Sequence, residues 1–213
     1  MSQSKIIEYL LQYRPSTEWI CSQSNLPYLR IDMDVPVDEI FDEWQNVADD
    51  AVVHRGNDTY VNTSNRGWKS LSLYGVSDKD TETSEGNLSW TMAAGKCPKT
   101  VQWLNENFII GPMTGRIRFM LLEPMGVIVL HKDRDTKGLY EINIPITNPV
   151  GCKFIFKNYG TVPFEKGGVF LMDVSNEHFV YNDSTQPRLH IIVHSQLKNE
   201  KLIAQSYANS YYS

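Results

Sequence analysis

Two histidines and an aspartate in the second half of the chain have the types and spacing that suit a metal ion. His131 and Asp133 lie two residues apart, so on an extended backbone both side chains can reach one point in space. His178 follows after apolar runs that read as short strands and fold the chain back on itself. Two imidazoles and one carboxylate on one side of a metal leave the opposite positions open, as in non-haem Fe(II) oxygenases. The pattern predicts iron bound by His131, Asp133 and His178; Asp135 is the weaker alternative to Asp133.

An arginine in an apolar strand is the second feature that could do chemistry. Arg188 precedes the run Leu189-His190-Ile191-Ile192-Val193. A guanidinium inside an apolar barrel needs an anion, because a buried unpaired charge is very costly. A dicarboxylate such as 2-oxoglutarate would supply one, chelating the iron at one end and forming a two-pronged ion pair with Arg188 at the other.

The remaining histidines are weaker candidates for the metal and cosubstrate site. His190 shares the face of Arg188, so it either contacts the cosubstrate or is a satisfied core histidine, and both interpretations stay open. His194 ends the strand and is expected at the surface. Nothing in the sequence supports His54 as a ligand.

Taken together, these residues and their neighbours resemble a known family. The sequence is similar to the Fe(II)/2-oxoglutarate-dependent oxygenases, and within them to the aspartyl/asparaginyl β-hydroxylase-like branch, which includes proline hydroxylases. The matching motifs cover roughly the last half of the chain and are Glu123-Pro124-Met125-Gly126, His131-Lys132-Asp133, Ile142-Asn143-Ile144-Pro145 with Asn148, Lys166-Gly167-Gly168 before a strand ending in Asp173, His178-Phe179-Val180-Tyr181-Asn182 and Arg188-Leu189-His190.

The resemblance implies a reaction and a set of partners. The protein would hydroxylate an aspartyl, asparaginyl or prolyl residue, or the free amino acid, using molecular oxygen while 2-oxoglutarate is decarboxylated to succinate. No catalytic residue beyond the metal ligands is implied, and Asn143, His190 and Met120 join Arg188 in the cosubstrate site. The sequence departs from relatives at Glu141 and Asn143, where they often carry an arginine and a histidine; Asn143 can still donate a hydrogen bond.

The elements that must position these residues begin in the first half. Apolar spacing predicts helices over 4–13, over 36–51 with Trp44 on its inner face, and from Pro98 onward; these helices would brace the outside of a barrel. A short strand is expected at 27–31. The tail, 197–213, is polar and tyrosine-rich, and could be disordered or cover a neighbouring surface.

Two alternating segments suggest where substrate binds. Over 67–75, Leu71 and Leu73 fall on one face and Trp68 and Tyr74 on the other, so Trp68 and Tyr74 are candidate substrate contacts. Over 115–122, Arg116, Arg118, Met120 and Leu122 share a face. Arg118 is therefore the first candidate to hold a substrate carboxylate, although a surface salt bridge is the favoured alternative. The polar run 77–86 reads as a solvated connector or a substrate-contacting loop.

Composition limits the class of protein. The chain has 213 residues, 41% of them hydrophobic, so a single globular domain is expected. A net charge of -5 argues against sequence-independent binding to nucleic acid. The sequence contains no apolar run that would span a membrane. Three cysteines without CxxC spacing indicate reduced thiols in a cytoplasmic protein. The sequence does not indicate an oligomeric state.

The resulting architecture is mainly β with flanking helices. We expect one oxygenase domain over 1–213, with N-terminal support over 1–110, a double-stranded β-helix core of jelly-roll, cupin-like form over 111–196, and the tail over 197–213. The alternative function is a cupin-like metal-binding protein, an isomerase or a sensor without oxygenase activity.

Overall fold

Antiparallel strands dominate the fold. The structure is a computed structural model that describes residues 15–55, 65–80, 86–111 and 114–210. The helices are α1 (Thr17–Gln23), α2 (Val37–Gln45), α3 (Met92–Gly95), α4 (Pro98–Asn107) and α5 (Lys201–Ser210), with a 3-10 turn at Ala48–Asp50. The strands are β1 (Tyr28–Ile31), β2 (Val52–Val53), β3 (Arg66–Gly75), β4 (Ser89–Trp90), β5 (Ile117–His131), β6 (Glu141–Thr147), β7 (Cys152–Phe156), β8 (Gly160–Thr161), β9 (Val169–Met172), β10 (His178–Asn182) and β11 (Arg188–Val193). The helix expected over 4–13 lies outside the described residues, as does part of the 77–86 loop.

The long strand β5 closes the sheet over on itself. The strand order is β1-β9-β6-β11-β5-β10-β7-β8, with β3 added beside β5 and β2 and β4 beside β3. The first half of β5 pairs with β11 and β3, whereas its second half pairs with β10. Between the halves, Met125 has φ +59° and Gly126 packs so closely that a Cβ there would lie 2.6 Å from the Leu122 side chain. The two halves thus belong to two facing layers, which confirms the predicted jelly-roll core.

Two apolar clusters fill the space on either side of the larger layer. One lies between the layers and includes Phe154, Phe156 and Phe170. The other lies under the helices, where Trp44 of α2 packs against Phe119 with ring centroids 5.0 Å apart. The helices therefore brace the outside of the barrel, as predicted, and Trp44 has a structural role.

The predicted helix over 36–51 is shorter than expected, because α2 ends at Gln45 and a 3-10 turn follows. The tail is not disordered over the residues that the structure describes, because most of it forms helix α5. Helix α5 packs against β1 and α1, Tyr207 meets Trp19 edge-to-face, and the Ser206 hydroxyl accepts a hydrogen bond from the Asp32 amide. No helix among the described residues is long and apolar enough to cross a membrane.

Candidate functional site

The register of β5 and β10 brings the two predicted histidine ligands together. His131 and His178 are direct cross-strand partners, and their ring centroids are 4.3 Å apart. Asp133 lies just past the end of β5, where its amide donates to the Val174 carbonyl at 3.1 Å. The alternative ligand, Asp135, is exposed and lies outside this cluster.

The donor atoms of His131, Asp133 and His178 all lie within 4.8 Å of one another. The two Asp133 carboxylate oxygens lie 3.6 Å from His131 Nε2 and 3.4 Å from His178 Nε2. Each Nδ1 lies within hydrogen-bond distance of a backbone carbonyl, Val129 at 2.7 Å and Asn176 at 2.9 Å. An imidazole whose Nδ1–H is held in this way presents the lone pair of Nε2, which is the form that binds metals.

The neighbours of the cluster fix its charge state and orientation. Burial opposes ionisation of Asp133, but the hydrogen bond and charge of His178, with His131 beside it, hold the pKa of this carboxyl below its usual range. Burial lowers the pKa of His131. The Phe154 ring stacks on His178 with centroids 4.8 Å apart and planes 14° apart. These contacts favour one ionised carboxylate and one fixed ring orientation.

The inward face of the larger layer is polar in successive cross-strand rows. Alternation along β5, β6 and β11 sends one set of side chains inward and the other under the helices. From the register and backbone bonds, Arg116, His194 and Glu141 form the row at the pocket mouth, and Arg118, Ile192 and Asn143 form the next. Deeper rows place His190 beside Met120, and Arg188 beside Leu122. The pocket therefore has two ends with different charged groups.

The deep end holds Arg188 in an otherwise apolar setting. Arg188 is 5% exposed, its guanidinium carbon lies 5.8 Å from the Phe164 ring centre, and its Nε has no hydrogen-bond partner. Its Nη2 donates to His190 Nδ1 at 2.9 Å, and the Asn143 amide contacts the same ring nitrogen. Burial lowers the pKa of Arg188 to about 10, so the group is still cationic at neutral pH.

His190 is fully buried beside Arg188 and the Phe164 ring, and it does not line the open space of the pocket. Burial and Arg188 hold the pKa of His190 well below its usual value, so the ring is neutral. Its Nδ1 lies 2.9 Å from Arg188 Nη2, a donor, and 2.5 Å from Asn143 Oδ1, an acceptor, so it accepts from Arg188 in one tautomer and donates to Asn143 in the other. Its Nε2 is buried without a hydrogen-bond partner among the described residues.

The mouth of the pocket combines two arginines with a carboxylate. Arg118 is 7% exposed and donates from Nη2 to His194 Nε2 at 3.2 Å. Burial, with Arg118 next, lowers the pKa of His194 to about 3, so that ring is neutral and can accept. Burial, and next the negative charge of Asp133, raise the pKa of Glu141 to about 7.

The structure brings most of the predicted site residues into one pocket. The wall includes the three candidate ligands together with Arg188, Asn143, Met120, Arg118 and Trp68. Tyr74 is not there: it packs against Trp90 under the helices. The reason is a register shift between Ser72 and Tyr74, which interrupts the alternation that placed Tyr74 on the face of Trp68.

Two further expectations need correction. The favoured surface salt bridge for Arg118 is wrong, because the side chain is buried inside the pocket. His194 was expected at the surface, yet it lines the pocket and contacts Arg118. His54, for which the sequence offered no ligand role, lies outside the ligand cluster; it is buried beside Ser70 and Trp68 and lines the pocket. The alternation 188, 190, 192, 194 along β11 was the signal that could have placed His194.

Comparison with known proteins agrees with this geometry. The family described as aspartyl/asparaginyl beta-hydroxylase matches residues 36–196. No curated protein matches the sequence significantly.

Among solved structures, a prolyl hydroxylase from Trichoplax adhaerens, in complex with a peptide fragment of the hypoxia inducible factor oxygen degradation domain, is 12% identical. It aligns with a TM-score of 0.53 over 97% of this chain and 97% of that chain. The non-heme alpha ketoglutarate dependent carbocyclase SnoK from nogalamycin biosynthesis is also 12% identical, with a TM-score of 0.54 over 86% of this chain and 85% of its own. At these identities the likeness shows a shared fold.

Proposed function

Because the chain belongs to the aspartyl/asparaginyl β-hydroxylase family, we propose that it is an Fe(II)- and 2-oxoglutarate-dependent dioxygenase. The observation that carries the proposal is the His131, Asp133 and His178 cluster sharing one pocket with a buried Arg188 whose Nε has no partner. The reaction is hydroxylation of an aspartyl, asparaginyl or prolyl residue, or of the free amino acid, with decarboxylation of 2-oxoglutarate to succinate.

The donor set fits a divalent iron ion. In a metal site with ligand bonds of about 2.1 Å, neighbouring ligand atoms lie about 3 Å apart. Asp133 Oδ1 lies 3.6 Å from His131 Nε2 and Asp133 Oδ2 lies 3.4 Å from His178 Nε2, so the three side chains would hold one ion between them. Two imidazoles and one carboxylate are the ligands of facial Fe(II) sites.

The deep end of the pocket fits the far carboxylate of 2-oxoglutarate. Arg188 offers an unpartnered Nε beside Nη2, and a carboxylate is the group that a guanidinium binds through two parallel hydrogen bonds. His190 holds Arg188 in place through its Nδ1, and Asn143 supports His190. Met120 lines the same pocket and is the cross-strand partner of His190.

Iron and 2-oxoglutarate together supply the oxidising chemistry that breaks an unactivated C–H bond. The chain supplies position. Asp133 and the two histidines keep three ligand positions on one side, and Phe154 fixes the His178 ring. Arg188 sets the depth of the cosubstrate, and the arginines at the mouth are left to bind substrate.

We further propose that residues 1–213 act as one oxygenase domain without a nucleic-acid partner, since the net charge is -5. The three free cysteines support a reducing, cytoplasmic setting. The substrate is an amino acid or a peptide residue, with molecular oxygen as the second substrate.

The test is an anaerobic titration of the Fe(II)-loaded protein with 2-oxoglutarate, monitored by the visible charge-transfer band of the chelate. Truncating one partner of a buried charge pair costs about 2–5 kcal/mol, so Arg188→Ala should weaken 2-oxoglutarate binding at least about 30-fold while iron still binds. His178→Ala should lose iron binding itself. Arg30→Ala, which removes an exposed arginine paired with Glu165, is the matched control and should titrate as wild type. Iron binding without any band in the wild-type protein would refute the oxygenase proposal.

A further inference from the structure

Glu141 is a buried carboxylate without a cationic partner in the pocket wall. The residue is 7% exposed. Its nearest basic neighbour is His194, whose Nε2 lies 3.6 Å from Glu141 Oε2 and is neutral because it accepts from Arg118. Among the described residues, no lysine or arginine nitrogen lies within 4.0 Å of this carboxylate. Burial raises the pKa of this carboxyl to about 7, and a positively charged ligand group beside it would stabilise the ionised form.

Two arginines at the same end have buried donor atoms without a hydrogen-bond partner among the residues that the structure describes. These atoms are Arg118 Nε and Arg116 Nη1. Neither arginine forms an ion pair with a carboxylate among the described residues. The mouth therefore offers unused donors for an anion as well as an unused acceptor for a cation.

These opposite charges lie close enough to meet one small molecule. Arg116, His194 and Glu141 occupy one cross-strand row, and Arg118 starts the next row inward. Strands in a sheet are about 4.8 Å apart, so the Arg116 and Glu141 backbones, two strands apart, are separated by about 10 Å. Arg118 Nη2 lies 3.2 Å from His194 Nε2, and His194 Nε2 lies 3.6 Å from Glu141 Oε2, so the guanidinium and the carboxylate both lie close to one ring nitrogen. The metal cluster faces the same pocket, because Asp133 lies in the same wall as Glu141.

We propose that the substrate is a free α-amino acid, whose ammonium pairs with Glu141 and whose carboxylate is bound by Arg118 with Arg116 beside it. The inference rests on the proposed function and narrows its substrate class. A residue inside a polypeptide has amides in place of both charges, so it would leave Glu141 buried and unpaired. Glu141 is then the residue that selects for the free amino group.

The experiment measures binding of the 20 free L-amino acids to the Fe(II)- and 2-oxoglutarate-loaded protein without oxygen, by calorimetry. Each amino acid is compared with its N-acetyl derivative and its methyl ester. We expect at least one free amino acid to bind, and each blocked form of it to bind at least 30-fold more weakly, because each block removes one charge contact of about 2 kcal/mol.

Glu141→Gln keeps the shape and removes the charge. It should weaken the free amino acid at least 10-fold while changing the N-acetyl derivative less than 2-fold. Glu165→Gln, an exposed glutamate paired with Arg30, is the matched control and should behave as wild type. Because the ligand series uses the wild-type protein, the test does not depend on how well a variant folds.

The inference is overturned if no free amino acid binds, if the N-acetyl derivative binds as tightly, or if Glu141→Gln binds the free amino acid normally. Succinate production in air separates the two proposals. Amino-acid binding without any succinate would refute the oxygenase function alone, whereas succinate formed only with a peptide would refute the free-amino-acid substrate alone.

Discussion

Removing the Glu43 side chain should destabilise the fold without changing the residues that line the candidate site. Glu43 belongs to α2 but its carboxylate reaches the first turn of α4, where it accepts hydrogen bonds from the Lys99 amide, the Thr100 amide and the Thr100 hydroxyl at 2.7–2.8 Å. The N-cap residue of α4, Cys97, makes no side-chain cap bond of its own. A carboxylate from a neighbouring helix thus satisfies the amides that a helix start leaves free.

The magnitude follows from these three bonds. Losing a helix cap costs about 0.5–2 kcal/mol. Leaving a buried polar group unsatisfied costs about 1–3 kcal/mol, and both Glu43 and Thr100 are buried. We therefore expect Glu43→Ala to lower the free energy of unfolding by about 3 kcal/mol, which corresponds to a fall in Tm of roughly 6–12 °C for a domain of this size.

Urea unfolding of the metal-free protein is the assay. Asp42→Ala changes the exposed neighbour on the same helix and should lie within about 0.5 kcal/mol of wild type. In a double-mutant cycle with Thr100→Val, the two changes should be coupled by at least about 1 kcal/mol. If Glu43→Ala were no worse than Asp42→Ala, the carboxylate would not be capping α4 in solution.

Two further predictions concern a buried ring and a tight turn. Burial, and next the positive charge of Arg118, lower the pKa of His54 to about 2. Below about pH 6.5 the unfolded chain therefore binds a proton at His54 that the folded chain does not bind. The free energy of unfolding falls there by about 1.4 kcal/mol per pH unit. His54→Gln should remove that slope between pH 6 and 4 in urea unfolding; an unchanged slope would mean that His54 titrates normally. Gly126→Ala should lower stability by more than about 2 kcal/mol, because its Cβ would lie 2.7 Å from the Glu123 carbonyl oxygen. Gly95→Ala, where nothing lies within 4 Å, is the control in the same thermal unfolding measurement.

The strands of the second half could be predicted because their alternation is regular. The apolar runs predicted at 142–144, 153–156 and 169–172 lie in β6, β7 and β9. Where β5 continues past Gly126 into the other layer, the local signals are this glycine and the nearby Pro124. That change of layer depends on packing against Leu122, which no local pattern contains.

The site was partly predictable for the same reason. Residues two apart on one strand share a face, so His131 with Asp133, and Arg188 with His190, could be grouped from spacing alone. Tyr74 was misplaced because a single register shift in β3 reverses the face of the residues beyond it. Helix α5 was missed because its burial comes from contacts with distant elements, β1 and α1.

The contacts at the mouth of the pocket could not be predicted from single strands, because they depend on how neighbouring strands are aligned. Taken alone, Glu141 is a departure from relatives, Arg116 and Arg118 are ordinary basic residues, and His194 ends a strand. The register places Arg116, His194 and Glu141 in one row, where Arg118 uses His194 as an acceptor and so keeps that ring from neutralising Glu141. The carboxylate is left without a donor from His194 because the nearest ring nitrogen, Nε2, already accepts a hydrogen bond from Arg118. A change at His194 should consequently alter how the pocket treats a ligand's amino group, even though His194 carries no charge itself.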